Sequence, residues 1–407
     1  MDPLAHPCPR AAAAAVAGLF FGAALLAACG PPRASAPEWP RGAHVLADVA
    51  ALDALLGRFA RAPGTPAGER AARLRGALPA CALAYGSDPE ADLLRALEAL
   101  RCGAAAPAAL EALRAGHAIA FARTLEAEGE SAAASSRALR GRIDLSPAGR
   151  VSLALELPRD AVSGALALLL PGAAPPQPAL LSDASALIRA RVRPDGGLAL
   201  RELVPAASQA DRLFHLRSAL FSELVLEGSW ELAVYLPAAP SRWPRVAAAL
   251  GIRSRAAAQR ALDGFVAELA QRWPLPQQER QLAGAAALCL PELRLLPELA
   301  PCAQVGERAL AIGWNAASLE HALARTDRAP EPATAAAPAA AALTVELARI
   351  PEADALLAGA APHAQALAAA AWQRLAVGGS AGDSDYSLWA ELEPARADAL
   401  AQTGAPP

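Results

Sequence analysis

Residues 140–157 read RGRIDLSPAGRVSLALEL, and this stretch decides the fold class. Val151, Leu153, Leu155 and Leu157 alternate with Ser152, Ala154 and Glu156. Period-two alternation means a strand with one face on a core and the other towards water. Ser146-Pro147-Ala148-Gly149 supplies the turn, with proline at its second position and glycine at its fourth. Pro158 stops the strand, so the stretch reads as a β-hairpin in an antiparallel sheet.

The same layout predicts hairpins at 222–237 (SELVLEGSWELAVYLP) and 373–394 (QRLAVGGSAGDSDYSLWAELEP). In the first, Trp230, Leu232, Val234 and Leu236 share a face; in the second, Tyr386, Leu388, Ala390 and Leu392 do. Each hairpin follows a strand that runs into a Leu-rich segment: 44–59, 186–205 and 343–359. Pro194-Asp195-Gly196-Gly197 within the second opener reads as a hairpin-like bend. Helices fill the intervals. Residues 255–273 follow Ser254 as cap and put Leu262, Phe265, Val266, Leu269 and Trp273 on one face. Residues 209–221 follow Ser208, and 316–325 follow Asn315 and a strand, ALAIGW. The expectation is an α+β chain of mainly antiparallel sheets with packed helices, in irregular repeated strand-helix-hairpin units. The units expected are 43–172, 178–325 and a C-terminal 343–400, with a Pro/Ala-rich linker at 326–342.

Composition excludes some classes. Among 407 residues, 54% are hydrophobic and the net charge is -3, with all 37 basic residues arginine. That is enough apolar material for sizeable cores and gives no basic excess for nucleic acid.

The N-terminus has a weakly basic start at Arg10, an apolar run from Ala11 to Ala28, and then Leu26-Ala27-Ala28-Cys29-Gly30. That ending resembles the lipobox of bacterial lipoprotein precursors. The resemblance implies a signal peptide over 1–28, cleavage before Cys29, and lipid (diacylglycerol, palmitate) on the Cys29 thiol. The chain would then be anchored in the cell envelope, on the periplasmic face of the outer membrane, because Gly30 is not an inner-membrane retention aspartate. Residues 29–42, rich in Pro and Gly, read as a lipid-anchored spacer.

Cys8 would leave with the signal peptide, so Cys81, Cys102, Cys289 and Cys302 remain, an even number in an oxidising compartment. Of the three possible connectivities the short closures, Cys81–Cys102 and Cys289–Cys302, are favoured. The first would staple a helix capped at Ser87 or Asp88, with Pro89 at its first position and Leu93, Leu97 and Leu100 on one face. The second would close a proline-rich loop. Cys–Cys and Cys–His spacings do not match a zinc site.

The body resembles a group of exported proteins of GC-rich bacteria, on Leu-Leu-Pro-Glu-Leu-Ala-Pro-Cys at 295–302 and Ala-Leu-Ala-Ile-Gly-Trp-Asn at 309–315. The resemblance implies a fold and brings no activity.

The strings that suggest chemistry lack their context. Gly378-Gly379-Ser380-Ala381-Gly382 matches G-x-S-x-G, but a strand follows and no histidine lies beyond His363, so it reads as a hairpin loop. Asp383 and Asp385 resemble half a calcium loop without the closing glutamate. His44, His117, His215, His321 and His363 are scattered singly. The tryptophans Trp230, Trp273, Trp314, Trp372 and Trp389 read as core packing at strand and helix ends; the alternative is that Trp389, on an outward face, marks a contact surface, although one aromatic alone does not flag an interface. The reading is a membrane-tethered, non-enzymatic binding or scaffold protein with no cofactor or metal, whose partner is an envelope protein. The alternative partner is a lipid or hydrophobic ligand carried through the periplasm, and the third reading is an enzyme whose site the sequence does not identify.

Overall fold

The computed structural model describes residues 41–60, 66–125, 137–159, 180–181, 186–193, 197–199, 225–237, 244–272, 278–282, 284–292, 298–326, 341–349, 372–382 and 385–394. The sheets are antiparallel, with helices packed on them. The chain divides into two compact units, Met1–Ala167 with Val345–Pro407, and Leu168–Thr344.

In the first unit the strands are β1 (Ala43–Asp48), β2 (Leu83–Asp88), β3 (Arg101–Cys102), β4 (Ile119–Leu125), β5 (Arg137–Leu145) and β6 (Val151–Pro158). The C-terminal strands β16 (Trp372–Ala381) and β17 (Asp385–Pro394) join them. Pairing gives the order β3-β2-β1-β4-β5-β6-β17-β16. The decisive hairpin is present. Gly149 N–H donates to Ser146 O at 2.8 Å and Gly149 has φ of +82°, the conformation glycine supplies cheaply. The C-terminal segment expected as a separate unit at 343–400 does not stand alone, because β17 pairs with β6 from Asp385↔Pro158 to Leu392↔Val151.

Four helices serve this sheet: α1 (Val49–Phe59), α2 (Pro66–Gly76), α3 (Leu93–Glu98) and α4 (Ala108–Arg114). Asp48 caps α1 by accepting from Ala51 N at 2.9 Å. Leu110 of α4 is buried with Leu46, Ala120, Ala122 and Ala138 on one face. α3 sits on Gly86, where a Cβ would lie 2.1 Å from Ala96 O. It starts later than the sequence suggests: Ser87 and Asp88 belong to β2, and Asp92 is the cap. Asp88 instead accepts from Asp92 N at 2.9 Å, which turns the chain between strand and helix.

In the second unit β7 (Ile188–Val192) and β8 (Gly197–Ala199) both pair with β9 (Val225–Tyr235). The order continues through β10 (Arg245–Ile252), β14 (Ala309–Gly313), β13 (Cys302–Val305), β12 (Ala285–Cys289) and β11 (Gln278–Leu282). Strand β15 (Ala341–Val345) pairs with β7. Helix α5 (Arg255–Arg272) covers one face, where Ala258 and Ala261 pack with Leu226, Val305 and Leu310. Helix α6 (Ala316–Thr326) covers the other, where Leu319 and Leu323 pack with Ala287 and Ala311. Asn315 Oδ1 accepts from Ser318 N at 2.9 Å and caps α6 as expected.

The hairpin expected at 222–237 is one continuous strand, β9. Gly228 has φ of +85°, and pairing with β10 shifts register between Leu250 and Ile252. The glycine makes a β-bulge, not a turn. Likewise β7 and β8 both pair with β9 instead of with each other as the arms of a hairpin would; of the bend expected there, residues 194–196 lie outside the described residues.

Candidate functional site

Residues opposite one another in a sheet share a face. In β5, β6 and β17 one face carries Ile143, Leu153, Leu155, Leu388 and Ala390. The other carries Arg140, Arg142, Asp144, Ser152, Glu156, Trp389 and Glu391. Antiparallel registry places these charges in rows about 4.8 Å apart, close enough for long side chains to meet.

They meet as a ladder. Arg140 Nη2 stands 3.2 Å from Asp385 Oδ2 and 3.3 Å from Glu156 Oε2. Arg142 Nη2 is 3.7 Å from Glu156 Oε1, and its Nη1 is 3.3 Å from His117 Nε2. His117 Nδ1 is 2.8 Å from Asp144 Oδ2. His117 reaches β5 from the turn after α4, where Gly116 has φ of +81°. Asp144 Oδ1 also accepts from Ala118 N at 3.2 Å, so one carboxylate fixes both the turn and the ring.

The partners fix the tautomer. A guanidinium has hydrogens to donate and no lone pair to offer. His117 Nε2 therefore accepts from Arg142, and His117 Nδ1–H donates to Asp144. For this ring to take a proton as a general base, Arg142 must first leave. The arrangement suits charge-assisted hydrogen bonding to a polar partner better than proton transfer. Trp389 lies on the same face, half-buried, its indole against Gly378, where a Cβ would come within 2.4 Å of the ring.

A second polar group is buried in the other unit. Glu231, only 5% exposed in its side chain, accepts from Leu180 N at 2.9 Å and Leu181 N at 2.6 Å. Arg191 Nε stands 3.1 Å from it, and Arg191 Nη2 also donates to buried Ser229 Oγ at 3.1 Å. Burial pulls the Arg191 guanidinium below its ordinary pKa while Glu231 pushes back. Arg193 shifts the same way, from burial first and then from the neighbouring Arg191. A carboxylate with this many donors anchors residues 180–181 to β9. A groove of about 230 Å³ also runs beside α5, lined by Gln259, Leu262, Asp263, Glu279, Leu288 and Ala303.

The structure brings the cysteines together as Cys81–Cys102 and Cys289–Cys302. The second closes between facing strands. Leu290 N–H donates to Pro301 O at 2.9 Å, which makes the next pair, Cys289↔Cys302, a non-hydrogen-bonded one. Such pairs hold their Cα atoms close, here 4.1 Å apart. Cys29 lies outside the described residues, as do His215, His363, Asp383 and Trp273.

Ser380 lies inside β16 and pairs with Ser387, so Gly378–Ala381 is strand, not the expected loop. Asp385 serves as the partner of Arg140. His44 is buried between Tyr85 Oη, 2.8 Å from Nδ1, and the Arg41 carbonyl, 3.1 Å from Nε2. His321 is half-buried; it lies edge-on to buried Tyr235, with Nδ1 3.3 Å from Arg245 Nη1. Sequence reading missed the ladder. Its signal, arginines at 140 and 142 alternating with Gly141 and Ile143, is visible, but the partners at 117, 156 and 385 are not.

Among the described residues no group of three His, Cys, Asp or Glu side chains is placed to hold a metal ion, and no helix is long and apolar enough to cross a membrane. The chain matches no model of a known protein family, no curated protein and no solved structure.

Proposed function

We propose that this chain is an exported lipoprotein, held in the cell envelope by lipid on Cys29, that binds an envelope protein through the charged face of β5, β6 and β17. The observation that carries this reading is the ladder from Asp385 through Arg140, Glu156 and Arg142 to His117 and Asp144, with Trp389 beside it. Both cysteine pairs suit an oxidising compartment. The groove beside α5 is smaller than the several hundred cubic ångströms expected of a lipid site, and Gln259, Asp263 and Glu279 stand among its apolar lining residues.

A shorter motif than the expected strand-helix-hairpin unit supports the reading of a repeated scaffold: a strand followed by a capping side chain and a helix. It recurs as β1–Asp48–α1, β10–Ser254–α5 and β14–Asn315–α6.

The test places a photo-crosslinking amino acid at Trp389 in the native host and feeds the cells labelled palmitate. The expected result is label lost in Cys29→Ala, and a discrete crosslinked adduct lost in Arg140→Glu/Arg142→Glu. Label independent of Cys29 overturns the anchor. An adduct indifferent to the charge reversal overturns the binding face.

A further inference from the structure

The two disulfides differ in access. Cys289 and Cys302 are 1% and 2% exposed, inside the core beneath α6. Cys102 is exposed, and Cys81 is half-buried beside Leu83, a large apolar side chain 41% open to water. Thiol–disulfide exchange needs a thiolate to approach one sulfur along the S–S axis, so access controls its rate. Cys102 belongs to β3, which pairs with β2 at two positions, Ala84↔Cys102 and Tyr85↔Arg101. The edge can therefore yield while α3 stays seated through buried Ala96, packed on Gly86.

We propose that Cys81–Cys102 is an exchange site for a dithiol reductant, and that Cys289–Cys302 is inert to the same reagent. The reductant's thiolate attacks Cys102 Sγ, the S–S bond breaks, and Cys81 leaves as a thiolate. The second thiolate of the reductant attacks its own sulfur in the mixed disulfide, and Cys102 leaves in turn. Both cysteine thiolates take protons from water. The protein bridge gains two electrons and two protons, and the dithiol loses the same and becomes a disulfide. The consequence is release of the clasp over residues 81–102, with β3 free to leave the edge of β2. The inference is independent of the lipid anchor.

The experiment treats the full oxidised chain with graded dithiothreitol in native buffer. Free thiols are trapped by alkylation at timed intervals, and each cysteine is followed by peptide mass mapping. Cys81 and Cys102 are expected to react together, at least about tenfold faster than Cys289 and Cys302. Hydrogen exchange on the reduced chain is expected to rise at 81–85 and 101–104, where β3 pairs with β2, and stay unchanged in α3 and in 285–313. Equal rates at the two bridges, or earlier opening of Cys289–Cys302, overturn the proposal. So does exchange that rises throughout the chain, which would make reduction a consequence of global unfolding. The Cys81→Ser/Cys102→Ser chain is the control. It is expected to keep its far-ultraviolet circular dichroism and lose the fast-reacting pair.

Discussion

One bridge joins β12 to β13 inside the core of its unit; the other ties an exposed two-residue strand to the rim of its own. Loop length alone ranks them the wrong way. The separations are 21 residues for Cys81–Cys102 and 13 for Cys289–Cys302. In the chain-entropy account that difference favours the longer loop by only about 0.4 kcal/mol. Burial outweighs it. Removing the inner bridge leaves two polar or empty positions among Leu282, Ala311, Leu319 and Leu323. Removing the outer one leaves groups that water can solvate. The same covalent bond is a core element in one place and an edge tether in the other.

The largest expected effect is therefore at the inner bridge. Cys289→Ser/Cys302→Ser should cost about 4 kcal/mol, from lost loop closure plus hydroxyls buried in an apolar cluster. Denaturant unfolding checks this. The outer double variant, Cys81→Ser/Cys102→Ser, should cost about 3 kcal/mol, nearly all of it loop closure. If the outer pair proves the costlier, burial is not the quantity that sets the cost of losing a bridge.

Both units seat a helix on a strand glycine. A Cβ on Gly86 would lie 2.1 Å from Ala96 O of α3, and one on Gly313 would lie 2.4 Å from Leu319 N of α6. In both cases the obstacle is helix backbone, which cannot rotate away. Gly86→Ala and Gly313→Ala should each cost about 2 kcal/mol by overpacking. Gly313→Ala should also slow refolding of its unit if α6 docks before the sheet completes. Gly284 is the control for crowding, with nothing near its Cβ; its φ of +81° leaves only the backbone cost, so Gly284→Asn should lose well under about 1 kcal/mol. A loss at Gly284 as large as at Gly86 would remove close packing as the cause.

The expected fold class was legible where a signal is local. The alternation at 151–157 and the Ser146–Gly149 turn gave the hairpin, and Asn315 and Ser254 marked helix starts, because caps and turns are short-range hydrogen bonds. What failed was of two kinds. Gly228 reads as a turn residue, yet a bulge uses the same left-handed glycine, and the choice depends on β10 pairing across it. The C-terminal hairpin reads as a separate unit because no local pattern announces that β17 will pair with β6, more than two hundred residues earlier. The ladder fails for that second reason. Asp385 meets Arg140 across 245 residues, and His117 meets Asp144 across 27. Charges at alternate strand positions say that a polar face exists, and registry alone says which charges touch.

Asp144→Ala tests that registry. It removes bonds to His117 Nδ1 and Ala118 N and should cost about 1–2 kcal/mol, with local exchange rising at 116–119. Asn in its place keeps an acceptor for Ala118 N and should recover part of the loss. If exchange is unchanged in both, Asp144 does not hold the turn.

The smallest effect expected is at the surface, between α1 and α2. The Arg75 guanidinium, hydrogen-bonded to Asp53 at 2.7 Å and 3.1 Å, holds the Asp53 carboxyl below its ordinary pKa. A carboxyl whose pKa is lower when folded stabilises above its unfolded value, about 3.9, and the contribution fades as pH falls through the folded value. Asp53→Asn should therefore melt slightly below the parent at pH 7 and level with it at pH 2. Both partners are solvated, so molar salt should shrink the gap at pH 7. A gap that survives acid would mean that the carboxylate charge is not its source, and that Asp53 acts through the packing of Arg75 against Gly57, whose Cβ position lies 3.3 Å from the guanidinium.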